Sequence, residues 1–330
     1  MFWIVYCFFI KKIVYFCTKN RIQKMISVQK ERTWIHYLLL LFGIVCISWS
    51  AILVKLAGIS GFGSGFYRML FGTLFILPLW LYFKKPITNW YEVKIALICG
   101  ALFACDIALW NTSIMLSKAT ISTLLANLAP VWVGLGALFF LKEKPNKVFW
   151  IGTIISIVGV ALIIGFQEIS SSTLNLGNIL AIIASVFYGA YLLTVRKGRS
   201  QLDTFSFTTI SMISSTVVLG IICLVTSTPL TGFSSQTWIS LVVLGLIPQV
   251  AGWLAINQAL GHIKPTVASV SLLSQTVFTA LFSLPMLGEM LTIREISGGA
   301  IVLVGIYLVN GRRKPPTPRK GGVRLLNSNH

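Results

Sequence analysis

The sequence predicts an all-α membrane protein of ten transmembrane helices, arranged as two inverted five-helix repeats. Three observations predict it. Hydrophobic residues make up 56% of the chain and charged residues only 11%, far from the balance of a soluble globular protein. The apolar residues gather into ten runs, most of them near the roughly 20 residues that cross a bilayer core. The chain also repeats itself. Slid along itself by 146 positions without a gap, Asn111 falls on Asn257, Lys118 on Lys264, Thr120 on Thr266, Glu143 on Glu289, Gly152 on Gly298 and Gly159 on Gly305. Leu, Ile and Val coincide by composition in so apolar a chain; Asn, Lys and Glu are scarce and do not, so the polar matches mark an internal duplication.

The runs follow in order as Tyr37–Leu56, Gly65–Tyr82, Ile95–Leu116, Thr120–Leu141 and Phe149–Phe166, then Leu176–Val195, Phe205–Val225, Trp238–Leu260, Val267–Leu287 and Thr292–Asn310. Residues 37–166 are therefore expected to form the first repeat and 176–310 the second, joined by a polar connector, 167–175, that carries no Lys or Arg. Before them stands an extension, 1–36, and after them a basic tail, 311–330. Residues 1–24 read as an extension ahead of a natural start at Met25, or as an interfacial segment, because Lys11 and Lys12 split Met1–Cys17 into pieces too short to span. In each copy an apolar run closes at a glutamate and a short turn follows. That turn places Asn146 opposite Thr292, where Thr292-Ile-Arg-Glu295 reads as a capping box.

Five helices per copy is an odd number, so the second copy enters the membrane from the opposite face. With the amino terminus in the cytoplasm, 23 of the 27 Lys and Arg fall on the cytoplasmic side, the bias of an inner-membrane protein with both termini inside. The net charge of +19 thus reads as membrane orientation, and no nucleic-acid partner is expected. Glu143 and Lys264 fall inside, Lys118 and Glu289 outside; the glutamates read as structural, serving the next helix or a neighbouring Lys. The six cysteines show no Cys-x-x-Cys pairing and the three histidines are scattered, so neither a metal site nor a cofactor is expected.

This layout resembles the EamA-type carriers of the drug/metabolite transporter superfamily. The residues that carry the resemblance are Arg68 in the second run, Asn127-Leu-Ala-Pro130 in the fourth, Leu287-Gly-Glu289 closing the ninth and the paired glycines. The first copy departs from that pattern at Leu141-Lys-Glu143, and Thr276 stands opposite Pro130. The resemblance implies a central cavity lined by helices 1, 3, 4, 6, 8 and 9, and export of an amino acid or related small metabolite by alternating access.

The polar residues on those helices are the candidate lining. Asp106 is the one acidic residue well inside a run, and with Trp110 and Ser113 it occupies one helical face. Gln249, Trp253 and Asn257 form a similar face in the eighth helix, while Asn111 closes the third. Trp49, Tyr188, Tyr191, Asn127 and Gln275 complete the set, and Pro130 is a candidate hinge because it removes a backbone hydrogen bond. Asp106 reads equally as a structural carboxylate or as a group for substrate binding or proton coupling, so protons are a candidate partner beside the small-molecule substrate and the bilayer. The second and seventh runs align poorly between copies and are expected to face lipid or to have diverged with function. The alternative class, a membrane-embedded transferase or hydrolase, calls for clustered acids, histidines or a metal motif. No Asp-x-x-Asp, His-x-x-x-His or Gly-x-Ser-x-Gly occurs.

Overall fold

A computed structural model describes residues 33–83, 90–116, 119–165, 175–199, 202–287 and 292–311, and no strand occurs among them. The chain divides into two compact units, Met1–Ile35 and His36–His330. Of the first, only Thr33–Ile35 are described, as the opening of the first helix. The expectations for residues 1–24, Lys118, the connector up to 174, Glu289 and the basic tail lie outside the described residues.

Among the described residues ten helical spans follow one another. The first, α1, runs through Thr33–Ser48 and Ser50–Ala57; α2 is Gly61–Phe83 and α3 is Trp90–Leu116. The fourth, α4, is Ala119–Ala126 with Ala129–Phe140, and α5 is Lys147–Ile164. In the second half, α6 is Leu176–Gly198, α7 is Thr204–Val225, and α8 joins Ser235–Leu244 to Trp253–Leu260 through a π-helical segment, Gly245–Gly252. Finally α9 is Pro265–Leu272 with Ser274–Leu287, and α10 is Ile293–Gly311. Nine of these are long and apolar enough to cross a membrane, and α4 supplies the shorter apolar helix Leu124–Phe140. Side chains such as Ile154, Ile221 and Leu303 are more than half exposed, which suits hydrocarbon and not water.

Helix starts follow from local chemistry. Asn146, Asn175, Asp203 and Ser234 each accept a backbone N–H of the first turn of α5, α6, α7 and α8. At α10 the Thr292 N–H reaches Glu295 Oε2 at 2.8 Å while Glu295 N–H returns to Thr292 Oγ1 at 3.3 Å, the reciprocal capping box.

The inversion is visible where α5 crosses α10. A Cβ on Gly152 would lie 2.7 Å from the Gly305 carbonyl, and one on Gly159 would lie 2.8 Å from that of Gly298. Numbers rise along one helix as they fall along the other, so the two run antiparallel with backbones in contact, which only glycine permits. Between these glycines Ser156 Oγ donates to the Val302 carbonyl at 3.4 Å. Ser156 and Val302 are themselves separated by the repeat offset of 146, so a pseudo-two-fold axis passes between them. Thr73 and Thr216, each the thirteenth residue of its helix, meet at 3.0 Å where α2 crosses α7, as residues beside the same axis would. Packing partners exchange accordingly: α3 lies on α6 and α7 as α8 lies on α1 and α2, and α4 lies on α6 as α9 lies on α1.

Of the two alternatives for the second and seventh helices, facing lipid does not hold along one side of each: Met69, Gly72, Thr73 and Ile76 of α2, and Phe207, Thr208, Thr209 and Met212 of α7, are buried. The two helices pack on each other across the axis with different side chains. The fourth and ninth runs are also not continuous helices. The break in α4 falls at Asn127–Leu128, where the helix tightens into N–H bonds from Asn127 to the Leu124 carbonyl and from Leu128 to that of Leu125. The break in α9 falls at Leu273, the repeat-equivalent of Asn127, although no proline stands there.

Candidate functional site

The interior of the bundle holds two charges well inside apolar spans, Arg68 and Asp106. Arg68, the eighth residue of α2, donates from Nε to Gln249 Oε1 at 2.8 Å. Gln249 reaches it because Pro248, lacking an N–H, sits in the π-helical turn of α8, which widens the helix and re-aims the residues around it. Asp106 on α3 lies within electrostatic reach of Arg68, yet the two do not close to an ion pair of 4.0 Å or less. Apart from the Gln249 contact, neither side chain has a hydrogen bond or ion pair among the described residues, and both keep accessible surface deep inside the helices. Tyr188, which interacts electrostatically with both, is likewise without a hydrogen bond from its hydroxyl among the described residues.

Aromatic rings wall this region. Phe103 stacks on Tyr191 with centroids 4.6 Å apart and meets Trp253 at 4.8 Å. Trp253 stands edge-on to Tyr191 at 5.2 Å and to Tyr188 at 6.2 Å. The indole Nε1 atoms of Trp253 and Trp110 are buried and find no acceptor among the described residues. A buried donor without a partner costs about 1–3 kcal/mol, so these two N–H groups, the guanidinium edge and the carboxylate together present unmet demand of both signs.

Other candidates prove to be engaged elsewhere. Asn257 is buried, accepting from the Tyr191 hydroxyl at 3.1 Å and donating to Thr208 Oγ1 at 3.1 Å, and so ties α8 to α6 and α7. Its repeat mate Asn111 donates to the Gly61 carbonyl at 2.5 Å and ties α3 to the start of α2. Both asparagines, placed in the lining by sequence, are packing residues that join the third helix of a half to its second. Tyr191 shares that role through its hydroxyl and keeps its ring in the wall. Gln275 contributes to the crossing of α9 with the break in α1: its amide reaches the Ile47 carbonyl at 3.5 Å, Thr279 Oγ1 donates to the Ser48 carbonyl at 2.9 Å, and Trp49 stacks on Phe282 at 4.8 Å. Asn127 donates to Thr276 Oγ1 at 3.4 Å, linking the breaks of α4 and α9, and Pro130 begins the second piece of α4. Ser113, on the Asp106 face, bonds Ser122 of α4 at 2.6 Å.

Sequence reasoning missed Arg68 and Phe103 as members of this centre. For Arg68 the signal was present: it is the one basic residue inside an apolar helix of 23 residues. Glu143 also found a different partner from the neighbouring Lys expected, pairing with Lys264 of the other half at 3.9 Å.

Comparison with known proteins places the whole arrangement. The model of the EamA-like transporter family matches residues 34–165 and again 175–311. The chain belongs to the EamA-like transporter family. It is a multi-pass membrane transporter of the drug/metabolite transporter superfamily, not an enzyme. This EamA-like chain is 24% identical to an uncharacterized transporter of Archaeoglobus fulgidus over 83% of its own length and 97% of the relative's. It is 23% identical to the uncharacterized transporter YdfC of Bacillus subtilis, covering 76% and 83% of the two chains. The pseudopaline exporter CntI of Pseudomonas aeruginosa is 21% identical, with coverage of 76% and 86%. A solved crystal structure shares the fold at a TM-score of 0.71 and 14% identity, over 83% of this chain and 96% of that one.

Proposed function

We propose that this EamA-like transporter exports a small zwitterionic metabolite, an amino acid or a compound with the same charged ends, by alternating access of its two halves. The observation that carries the reading is the pair Arg68 and Asp106, close enough to feel each other and bonded to neither each other nor, beyond Gln249, to anything else described. Charges are retained inside a membrane span only when something meets them. A solute with a carboxylate and an ammonium group meets both, its carboxylate on the Arg68 guanidinium and its ammonium on Asp106, with the remainder against Tyr188 and Trp253. The Trp110 and Trp253 indole N–H groups supply further donors for its oxygens. Export is the direction favoured by the likeness to CntI, and the distribution of Lys and Arg favours an inner-membrane protein with both termini in the cytoplasm.

The test is counterflow into proteoliposomes loaded with a panel of amino acids, the amines left by removing their carboxylates and the acids left by removing their ammonium groups. Uptake of labelled amino acid driven by unlabelled amino acid, and by neither single-ended analogue, supports the reading. Equal exchange of amines or acids sinks it.

A further inference from the structure

A second recess lies away from the charged centre, at the bundle end where α2 finishes and α3 and α7 begin. It has a volume of about 260 Å³ and is lined by Trp80, Trp90, Val93 and Ile210. Its walls are fixed: Trp80 Nε1 donates to Ser206 Oγ of α7 at 3.0 Å, and Val93 and Ile210 are buried. Among the described residues its rim stands open, with Trp90 77% exposed. Lys94 follows Trp90 by one helical turn, so it shares that face of α3, and it is exposed. Lys197 of α6 rests its ammonium 5.7 Å from the centre of the Tyr91 ring, bringing a second cation to the first turn of α3. In sequence, Lys84 and Lys85 follow α2 directly.

We propose that this recess binds one acyl chain of an anionic phospholipid, with the phosphate and headgroup held by Lys94. An apolar slot lined by two tryptophans at the end of membrane helices suits a hydrocarbon tail, and the indoles suit headgroup depth. The basic rim selects the charge of the lipid. That end of the bundle carries the Lys and Arg excess, so it faces the leaflet whose lipids are anionic. The occupant is independent of the transported solute, because Arg68 and Asp106 take no part in the lining.

The experiment is native mass spectrometry of the full chain in mild detergent, titrated with phosphatidylglycerol or with phosphatidylcholine of the same acyl chains. Wild type, Lys94→Gln, Trp90→Ala and Ile210→Trp are compared, with thermal unfolding recorded for each. Wild type is expected to retain phosphatidylglycerol about five-fold more tightly than phosphatidylcholine, the contribution of one basic side chain near an anionic headgroup. Lys94→Gln removes that preference, while Trp90→Ala and Ile210→Trp weaken retention of both lipids. Should Ile210→Trp unfold, the two exposed variants still decide. Equal retention of the two lipids by wild type, retention of neither, or phosphatidylglycerol retention unchanged by Lys94→Gln and Trp90→Ala overturns the proposal.

Discussion

The crossing of α5 with α10 and the polar centre around Arg68 lie in one helical bundle and follow opposite rules. At the crossing, Gly152, Gly159, Gly298 and Gly305 occur in both copies of the repeat and bring two backbones into contact across the pseudo-two-fold axis. At the centre nothing is shared: Gly252 stands at the repeat position of Asp106, Ile256 at that of Trp110, and Phe103 and Ile107 at those of Gln249 and Trp253. Arg68, the eighth residue of α2, has Ser211 as its counterpart in α7. The duplication kept residues that pack and let the side chains of the polar centre diverge. The paired asparagines fall on the packing side of this division, since Asn111 and Asn257 each tie neighbouring helices together.

That division can be broken at several points, and the largest effect belongs to the crossing. Gly159→Leu forces a side chain against the Val302 amide, where even a Cβ lies at 2.7 Å. Overpacking there is expected to cost about 3 kcal/mol, read as a lowered thermal unfolding midpoint in detergent. Transport per folded molecule should survive in whatever folds. Asn257→Ala leaves the Tyr191 hydroxyl and Thr208 without their shared partner and is expected to cost about 2 kcal/mol of stability, with solute affinity nearly unchanged. A large loss of affinity with full stability would move Asn257 back into the site. Trp253→Phe keeps a ring in the wall and removes one donor, so a loss of about 1 kcal/mol in binding, several-fold in the half-saturation concentration, is expected, while relief of the unpaired buried N–H offsets the lost ring volume and leaves unfolding little changed. Glu143→Gln is the smallest: its partner Lys264 is 65% exposed at the side chain, and such pairs contribute about 0–1 kcal/mol, so unfolding should barely move. The candidate proton role of Asp106 is separable from substrate binding by the pH profile. Transport by Asp106→Asn with an unchanged profile would remove the proton from the scheme.

The fold was largely legible because bilayer physics leaves a coarse signature. Long apolar runs, segregated Lys and Arg and the gapless offset of the polar residues fix the helices and their inversion before any packing is known. Helix starts were legible at Asn146 and at Thr292 with Glu295 for a local reason, since caps act within one turn. The breaks were less so. Pro130 announces an interruption in α4, but Leu273 carries no such mark, and the interruption there follows from the crossing with α1 and α4. At the centre, Asp106, Trp110 and Gln249 stand out in the sequence as polar or aromatic residues on helical faces, whereas the bonds of Asn111 and Asn257 to Gly61 and Thr208 join residues distant in sequence and leave no local mark. Arg68 was visible as a charge inside an apolar run, but its contact with Gln249 comes from the π-helical turn of another helix and leaves no local mark.

The measurement that tests the central claim most directly is the thermal stabilisation of the purified, detergent-solubilised carrier by an amino acid that it exchanges, compared with Arg68→Gln and Asp106→Asn. The account predicts that the compound raises the unfolding midpoint of the wild type and of neither variant, while Asn257→Ala, though less stable, still responds. A compound that stabilises the wild type and both charge variants equally would contradict it, and would place the solute somewhere other than between Arg68 and Asp106.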